Sequence, residues 1–193
     1  MSIGIGDNLG KSFGFAKDSL VGKWLNWLLL IIVTVIPIVN FIGLGTYLKI
    51  FRGQKPEVEG IGKSFVDGLL VFIIAVIYMI IPAIVGAILG FLGAVGAIIA
   101  AIVGFIFMLL LIPAVIGFAK GGFGAAFAFG DHFAKIGKIG WVQYILAVLV
   151  IAVVAAVIGF ICGIIPIVGW ILGLIVAPFL AIMVSKYCAN LAA

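Results

Sequence analysis

The chain has 193 residues, of which 67% are hydrophobic and only 9% are charged. Soluble domains carry about 25% charged residues, so this composition excludes a water-soluble globule and indicates helices that face lipid. The formal net charge is +5, but the basic residues are scattered singly among acids, and no nucleic-acid partner is expected. The basic excess is instead typical of cytoplasmic membrane loops and of attraction to anionic headgroups.

The 11 basic and 6 acidic residues fall in four short stretches, which leave three uncharged blocks at 24–48, 68–119 and 139–185. If each block forms a helical hairpin, every Lys and Arg returns to one membrane side, as the positive-inside rule requires. We therefore predict an all-α, polytopic membrane protein with about six transmembrane helices in three hairpins, each preceded by an amphipathic interfacial helix. The whole chain would form a single, multi-pass domain in the cell membrane with both termini cytoplasmic. The first 23 residues are too charged for a cleavable leader, so we expect residue 1 to remain.

The first interfacial helix is predicted from Asp7 and Lys11, which share one helical face because they are four positions apart. The uncharged block that follows is short for two spans of about 20 residues each. Pro37 marks a hairpin turn within it. Three interpretations compete for this block: two helices extended past the flanking lysines, a shallow re-entrant hairpin, and a single kinked span. We favour the paired helices, which give six membrane helices in all.

The second interfacial segment is predicted from Glu59 and Lys63, which repeat the same spacing. The block at 68–119 is long enough for two full spans, with a turn in its glycine-rich middle. Small side chains permit close helix contact where lipid supplies no hydrophobic drive, either within the chain or between copies. Two small-residue steps predict such contacts: Gly86 with Gly90, and Ala100 with Gly104.

The third interfacial helix is predicted from Asp131 and Lys135, and the hairpin after it turns at Pro166. The three acid–Lys segments align without gaps, which predicts an internal repeat over residues 5–53, 57–120 and 124–190. Because each hairpin returns to its starting side, the copies would be related by an axis along the membrane normal.

Four segments carry a resemblance that runs over nearly the whole chain: GTYLKIFRG at 45–53, SFVDGL at 64–69, FGAAFAFG at 123–130 and IPIVGW at 165–170. Their order and spacing resemble an uncharacterised prokaryotic, mainly archaeal, family of integral membrane proteins, the domain of unknown function DUF4013. The resemblance implies a multi-helix membrane protein. It supplies no activity, cofactor or catalytic residue.

Candidate chemistry is sparse. His132 is the only histidine, so a two-histidine metal site or a Ser-His pair cannot form, and we expect this side chain to face the headgroups. Cys162 and Cys188 lack metal-ligand or redox spacing and are expected to be buried free thiols. The uncharged blocks contain no carboxylate for a proton relay. We therefore expect no catalytic, cofactor-binding or metal-binding residue, and no enzyme activity.

Three functions remain open. The first is a non-enzymatic scaffold or accessory subunit that packs with itself as a homo-oligomer or joins a larger membrane complex. The alternative is a passive channel or a carrier for lipid or small solutes. A further alternative is a membrane-shaping protein, because interfacial helices on one leaflet widen that leaflet. In each case membrane lipid is an expected partner.

Overall fold

The computed structural model describes residues 4–164 and 168–191, and every regular element in these ranges is helical. The helices are α1 (Ile5–Leu20), α2 (Trp24–Val35), α3 (Asn40–Phe51), α4 (Ile61–Leu89), α5 (Ala94–Gly121), α6 (Phe129–Ile139), α7 (Trp141–Ile164) and α8 (Val168–Leu191). Two short 3-10 turns, Gly90–Leu92 and Phe123–Phe127, follow α4 and α5. The predicted all-α class is confirmed for the described part of the chain.

Four helices are long and apolar enough to cross a membrane. They are α4, α5, α7 and α8, with 29, 28, 24 and 24 residues. At 1.5 Å per residue each exceeds a hydrocarbon core of about 30 Å. By contrast, α2 and α3 have only 12 residues each, or about 18 Å. Counting α1 and α2 as one bent span, with 102° between them, gives five. Six full spans are not confirmed, because the first block is too short to supply two.

The predicted breaks in the chain agree with the described structure. Pro37 lies in the turn between α2 and α3. The α4–α5 turn ends at Gly93, whose φ of 58° is in the left-handed region that favours glycine. Pro82 and Pro113 lie inside α4 and α5, as membrane helices tolerate. The predicted turn at Pro166 lies outside the described residues.

The second predicted interfacial helix differs from the structure. Glu59 lies in the loop before α4, which begins at Ile61 after a left-handed Gly60. Lys63 belongs to the same continuous helix as the apolar span, because no helix-breaking residue separates the two. Glu59 and Lys63 therefore do not share a helical face. In the other two predicted positions, α1 and α6 are separate short helices that precede hairpins.

The interior consists of two clusters of buried side chains that share α3 and α7. One cluster joins these helices to α1, α2 and α8, and the other joins them to α4, α5 and α6.

The backbones of α3 and α4 are in direct contact. A Cβ on Gly45 would lie 1.8 Å from Ser64 O, and a Cβ on Gly68 would lie 1.8 Å from Phe41 O. Glycine is therefore required where α3 crosses the first turns of α4.

Candidate functional site

An apolar cavity of about 380 Å³ lies between α3, α4, α5 and α8. Its volume falls within the range of about 300–1,000 Å³ that is usual for small-molecule pockets. Helices α3 and α8 supply equal shares of the wall, including Phe51 and Leu180, while α4 contributes Val71 and α5 contributes Val115. The α2–α3, α4–α5 and α7–α8 hairpins thus all contribute to one cavity.

Two polar side chains interrupt the apolar wall, Tyr47 on α3 and Ser185 on α8. Tyr47 is only 9% exposed, and its hydroxyl has no hydrogen-bond partner in the described part of the chain. Thr34 faces this phenol from α2, but the contact falls outside hydrogen-bond geometry and Thr34 donates its own hydroxyl to Leu30 O at 2.7 Å. The wall therefore suits a hydrocarbon ligand rather than a charged one.

An ionic clamp, the pair of Arg52 and Asp67, lies one helical turn beyond the cavity wall. The guanidinium of Arg52, at the end of α3, donates through both terminal nitrogens to the carboxylate of Asp67 on α4, with Nη2 3.2 Å from Oδ1. Its Nε donates to Ala119 O on α5 at 3.2 Å, and the group lies over the Phe118 ring. Such planar, bidentate pairing is a property of arginine that lysine lacks. The clamp therefore ties three helices together.

The clamp and the cavity share the same helical faces. Arg52, Asp67 and Ala119 each lie four positions from a cavity-wall residue, namely Leu48, Val71 and Val115. Positions four apart lie one helical turn apart on one face. Because three of its five N–H donors are used within the protein and its charge is paired with Asp67, Arg52 holds the wall in place.

The loop between α3 and α4 is held by polar side chains. Asn26 donates to Pro56 O at 3.0 Å and accepts from Val58 N at 3.0 Å, which mimics a strand pairing. Lys23 pairs with Glu57 at 2.6 Å. Hydrogen bonding and charge attraction from Lys23 lower the pKa of the Glu57 carboxyl. The predicted site residues included none of these groups, because their partners lie about thirty positions apart in the chain.

A buried amide joins α1 to the end of α8. Asn8 is fully buried, donates to Tyr187 O at 3.1 Å and accepts from Asn190 Nδ2 at 2.8 Å. Its neighbours Asp7 and Lys11 are exposed. The predicted polar face therefore points outward, while a second polar stripe of Asn8 and Ser12 faces the protein. The sequence carried no signal for this second stripe beyond its helical spacing.

The expectation that His132 faces the headgroups is wrong. Its side chain on α6 is fully buried, with Nε2 2.9 Å from Ala126 O. The Tyr78 hydroxyl donates to the same carbonyl at 2.6 Å. Helix α6 folds onto α5 at Gly117, where an added Cβ would lie 3.1 Å from the His132 ring. In the described ranges no three His, Cys, Asp or Glu side chains cluster with it. His132 therefore contributes to packing.

Three of the four predicted helix-packing residues, Gly86, Ala100 and Gly104, lie at the α4–α5 contact. A Cβ on Gly86 would lie 3.6 Å from Ala100 Cβ, and one on Gly104 would lie 3.8 Å from Pro82 Cβ. Gly90 has open space around it. The remaining predicted pair, Asp131 and Lys135, lies in α6: Asp131 is exposed and Lys135 is half-buried.

A comparison with known protein families matches a region that includes the clamp residues and most of the cavity-wall residues. A family described as "Protein of unknown function (DUF4013)" matches residues 28–167. No curated protein matches the chain. No solved structure matches it either. Because the match covers more than half of the sequence, the chain belongs to the DUF4013 family, and its long apolar helices indicate a membrane protein.

Proposed function

We propose that this chain is a non-enzymatic integral membrane protein that holds an apolar ligand, a lipid chain or a small apolar solute, in the cavity between α3, α4, α5 and α8. The observation that carries the proposal is the cavity itself, which has the volume of a ligand site and an almost wholly hydrocarbon wall. This is the carrier function among the three that the sequence left open.

The architecture supports a fixed binding site. Three hairpins contribute to the wall, and the Arg52–Asp67 clamp holds α3 and α4 beside α5 at one end. Pre-organised walls lower the entropic cost of binding. The family match includes both residues of the clamp. A lipid-like ligand would enter from the bilayer, where its concentration is high.

The scaffold hypothesis assumed that the small-residue faces form contacts between copies of the chain. Gly86 and Gly104 pack in the α4–α5 contact within the chain, so these two glycines require no partner from another copy. Association with a second copy or a larger complex remains a proposal without a dedicated surface. We place both termini on the cytoplasmic side, because the lysines and the arginine lie outside the uncharged blocks.

Filling the cavity tests the proposal. Val184 lies on the cavity wall, so Val184→Phe inserts a ring into the space. Val153 on α7 is 52% exposed and lies outside this wall, so Val153→Phe makes the same change on the lipid-facing surface. Both variants and the unchanged protein would be purified in mild detergent. Retained lipids and apolar molecules would then be extracted and quantified per protein by mass spectrometry.

The proposal predicts a stoichiometric apolar molecule on the unchanged protein and on Val153→Phe, and its loss from Val184→Phe. The Val153→Phe variant corrects for lipids that merely surround the helices. Equal retention by all three proteins, or no retained molecule on any of them, would contradict a ligand site in this cavity. Thermal unfolding of each variant checks that the fold is intact.

A further inference from the structure

The contact register of α3 limits how deeply the α2–α3 hairpin reaches. Phe41 and Gly45 of α3 touch Gly68 and Ser64, which lie in the first two turns of α4. Helix α3 also ends in the clamp with Asp67, in the same part of α4. Contact between the two helices is thus concentrated near the charged end of α4.

The tip of the α2–α3 hairpin does not reach the end of α4 that is opposite the charged residues. The turn is compact, because Asn40 N donates to Ile36 O at 2.8 Å. From Phe41 to Pro37 the chain therefore rises about 6 Å at most. From Gly68 to Leu89, α4 continues for about 31 Å. The tip at Pro37 thus falls about 25 Å short of the end of α4.

The α4–α5 hairpin provides the internal comparison. Its two helices stay in contact toward their own turn, with Gly86 against Ala100, and Phe91 at that turn is 80% exposed. The far half of α4 remains uncovered by α3, with Ile84 52% and Ile88 61% exposed. A full α2–α3 span would reach this half.

We propose that α2–α3 is a half-span that enters only the leaflet on the charged side of the protein. Its tip would meet the chain ends of lipids in the opposite leaflet, and those lipids would cover the far half of α4. The occupant is lipid because the gap of about 25 Å between the tip and the end of α4 is deeper than one leaflet, about 15 Å of a hydrocarbon core of about 30 Å.

Two residues at the turn, Pro37 and Thr34, suit a low-dielectric setting. Pro37 has no N–H group, so it leaves no unpaired donor in hydrocarbon. Thr34, the hydroxyl side chain nearest the turn on α2, donates to Leu30 O at 2.7 Å and is satisfied within its own helix. The hairpin would occupy area in one leaflet only, the same leaflet that the interfacial helix α1 would widen. This inference is independent of the ligand in the cavity.

Two single-cysteine variants at matched turns test the half-span. Ile38→Cys and Phe91→Cys replace exposed side chains, 70% and 80% exposed, in a full-length background with Cys162→Ala and Cys188→Ala. A membrane-impermeant maleimide would be applied to intact cells and to inverted membrane vesicles. Denaturation in strong detergent then shows that each thiol reacts. In lipid vesicles, a fluorophore on each thiol would be quenched by nitroxides placed along the lipid chain.

The half-span predicts that the Phe91→Cys thiol reacts from the side opposite the charged helix ends. The Ile38→Cys thiol should react from neither side and should be quenched most strongly by nitroxides near the chain end. Labelling of Ile38→Cys from the opposite side would establish a full span and overturn the inference. Labelling from the charged side would place the hairpin at the surface and also overturn it. An Ile38→Cys fluorophore that no lipid nitroxide quenches would show a protein partner in place of lipid.

Discussion

The Arg52 guanidinium and the Asp67 carboxylate form a bidentate pair in which the two side chains are only 22% and 14% exposed. Arg52 comes from the end of α3 and Asp67 from the second turn of α4. The same guanidinium donates to Ala119 O on α5. One side chain therefore fixes the relative position of the three helices that form most of the cavity wall.

Removing Arg52 alone should be more harmful than removing the pair. Arg52→Ala leaves the Asp67 carboxylate largely buried without a partner, which costs about 3 kcal/mol. The double variant with Asp67→Ala removes that unpaired charge and should be more stable than Arg52→Ala alone. Thermal unfolding in detergent, followed by size-exclusion chromatography, measures the order. Lys63→Ala, at an exposed position, should change little, and a double variant less stable than Arg52→Ala would contradict the role of the clamp.

The effect of a Gly→Ala substitution on α4 should depend strongly on its position in the helix. Gly68→Ala places a Cβ 1.8 Å from Phe41 O and must separate α3 from α4, so the folded yield should fall severely. Gly62→Ala meets open space on the same helix and should be neutral or stabilising by up to about 1 kcal/mol. Gly86→Ala makes only ordinary contact with Ala100 and should also be tolerated. Folded yield and unfolding temperature measure all three. A well-folded Gly68→Ala variant would refute the backbone contact between α3 and α4.

The buried amide of Asn8 should stabilise the attachment of α1 to α8. Asn8→Ala leaves Tyr187 O and Asn190 Nδ2 without this partner, which costs about 1–3 kcal/mol. Hydrogen exchange in the last turns of α8 should increase in that variant. Lys11→Ala, one turn along on the exposed face, serves as the control. Unchanged exchange in Asn8→Ala would show that α1 is held by other contacts.

Acid should release the loop that precedes α4. Because Lys23 lowers the pKa of Glu57, the ion pair contributes its full stabilisation above the ordinary glutamate pKa of about 4.3 and loses it as pH falls through the lower, folded value. Exchange protection at Val58 should follow this loss. In Glu57→Gln the protection should be weaker and should not vary with pH in this range. Equal pH dependence in both proteins would contradict a structural role for the pair.

Features that depend on composition and length were predictable from the sequence. The long uncharged blocks gave α4, α5, α7 and α8, and Pro37 gave a turn, because lipid imposes strict length and apolarity on a span. The length of the first uncharged block already indicated that it departs from the hairpin pattern of the other two. Its 25 residues could not supply two full spans, yet the charge pattern favoured a paired helix over a shallow one.

Features that depend on long-range contact were not predictable. Asn8 and His132 occupy equivalent positions in the aligned acid–Lys segments, and both are fully buried. Helical spacing placed each of them beside a charged face, but only tertiary packing decides which partner a polar side chain meets. The same reason explains why the Arg52–Asp67 clamp was missed, since its residues lie 15 positions apart on different helices.

The sidedness of the charged residues is the claim on which the membrane topology and the half-span both depend. Lys55 lies in the α3–α4 loop and Lys138 lies near the end of α6, and both are exposed. The direct measurement is modification of each lysine by a membrane-impermeant amine reagent in intact cells and in inverted membranes. The account predicts that both lysines react only in inverted membranes. Reaction of either one in intact cells would contradict it.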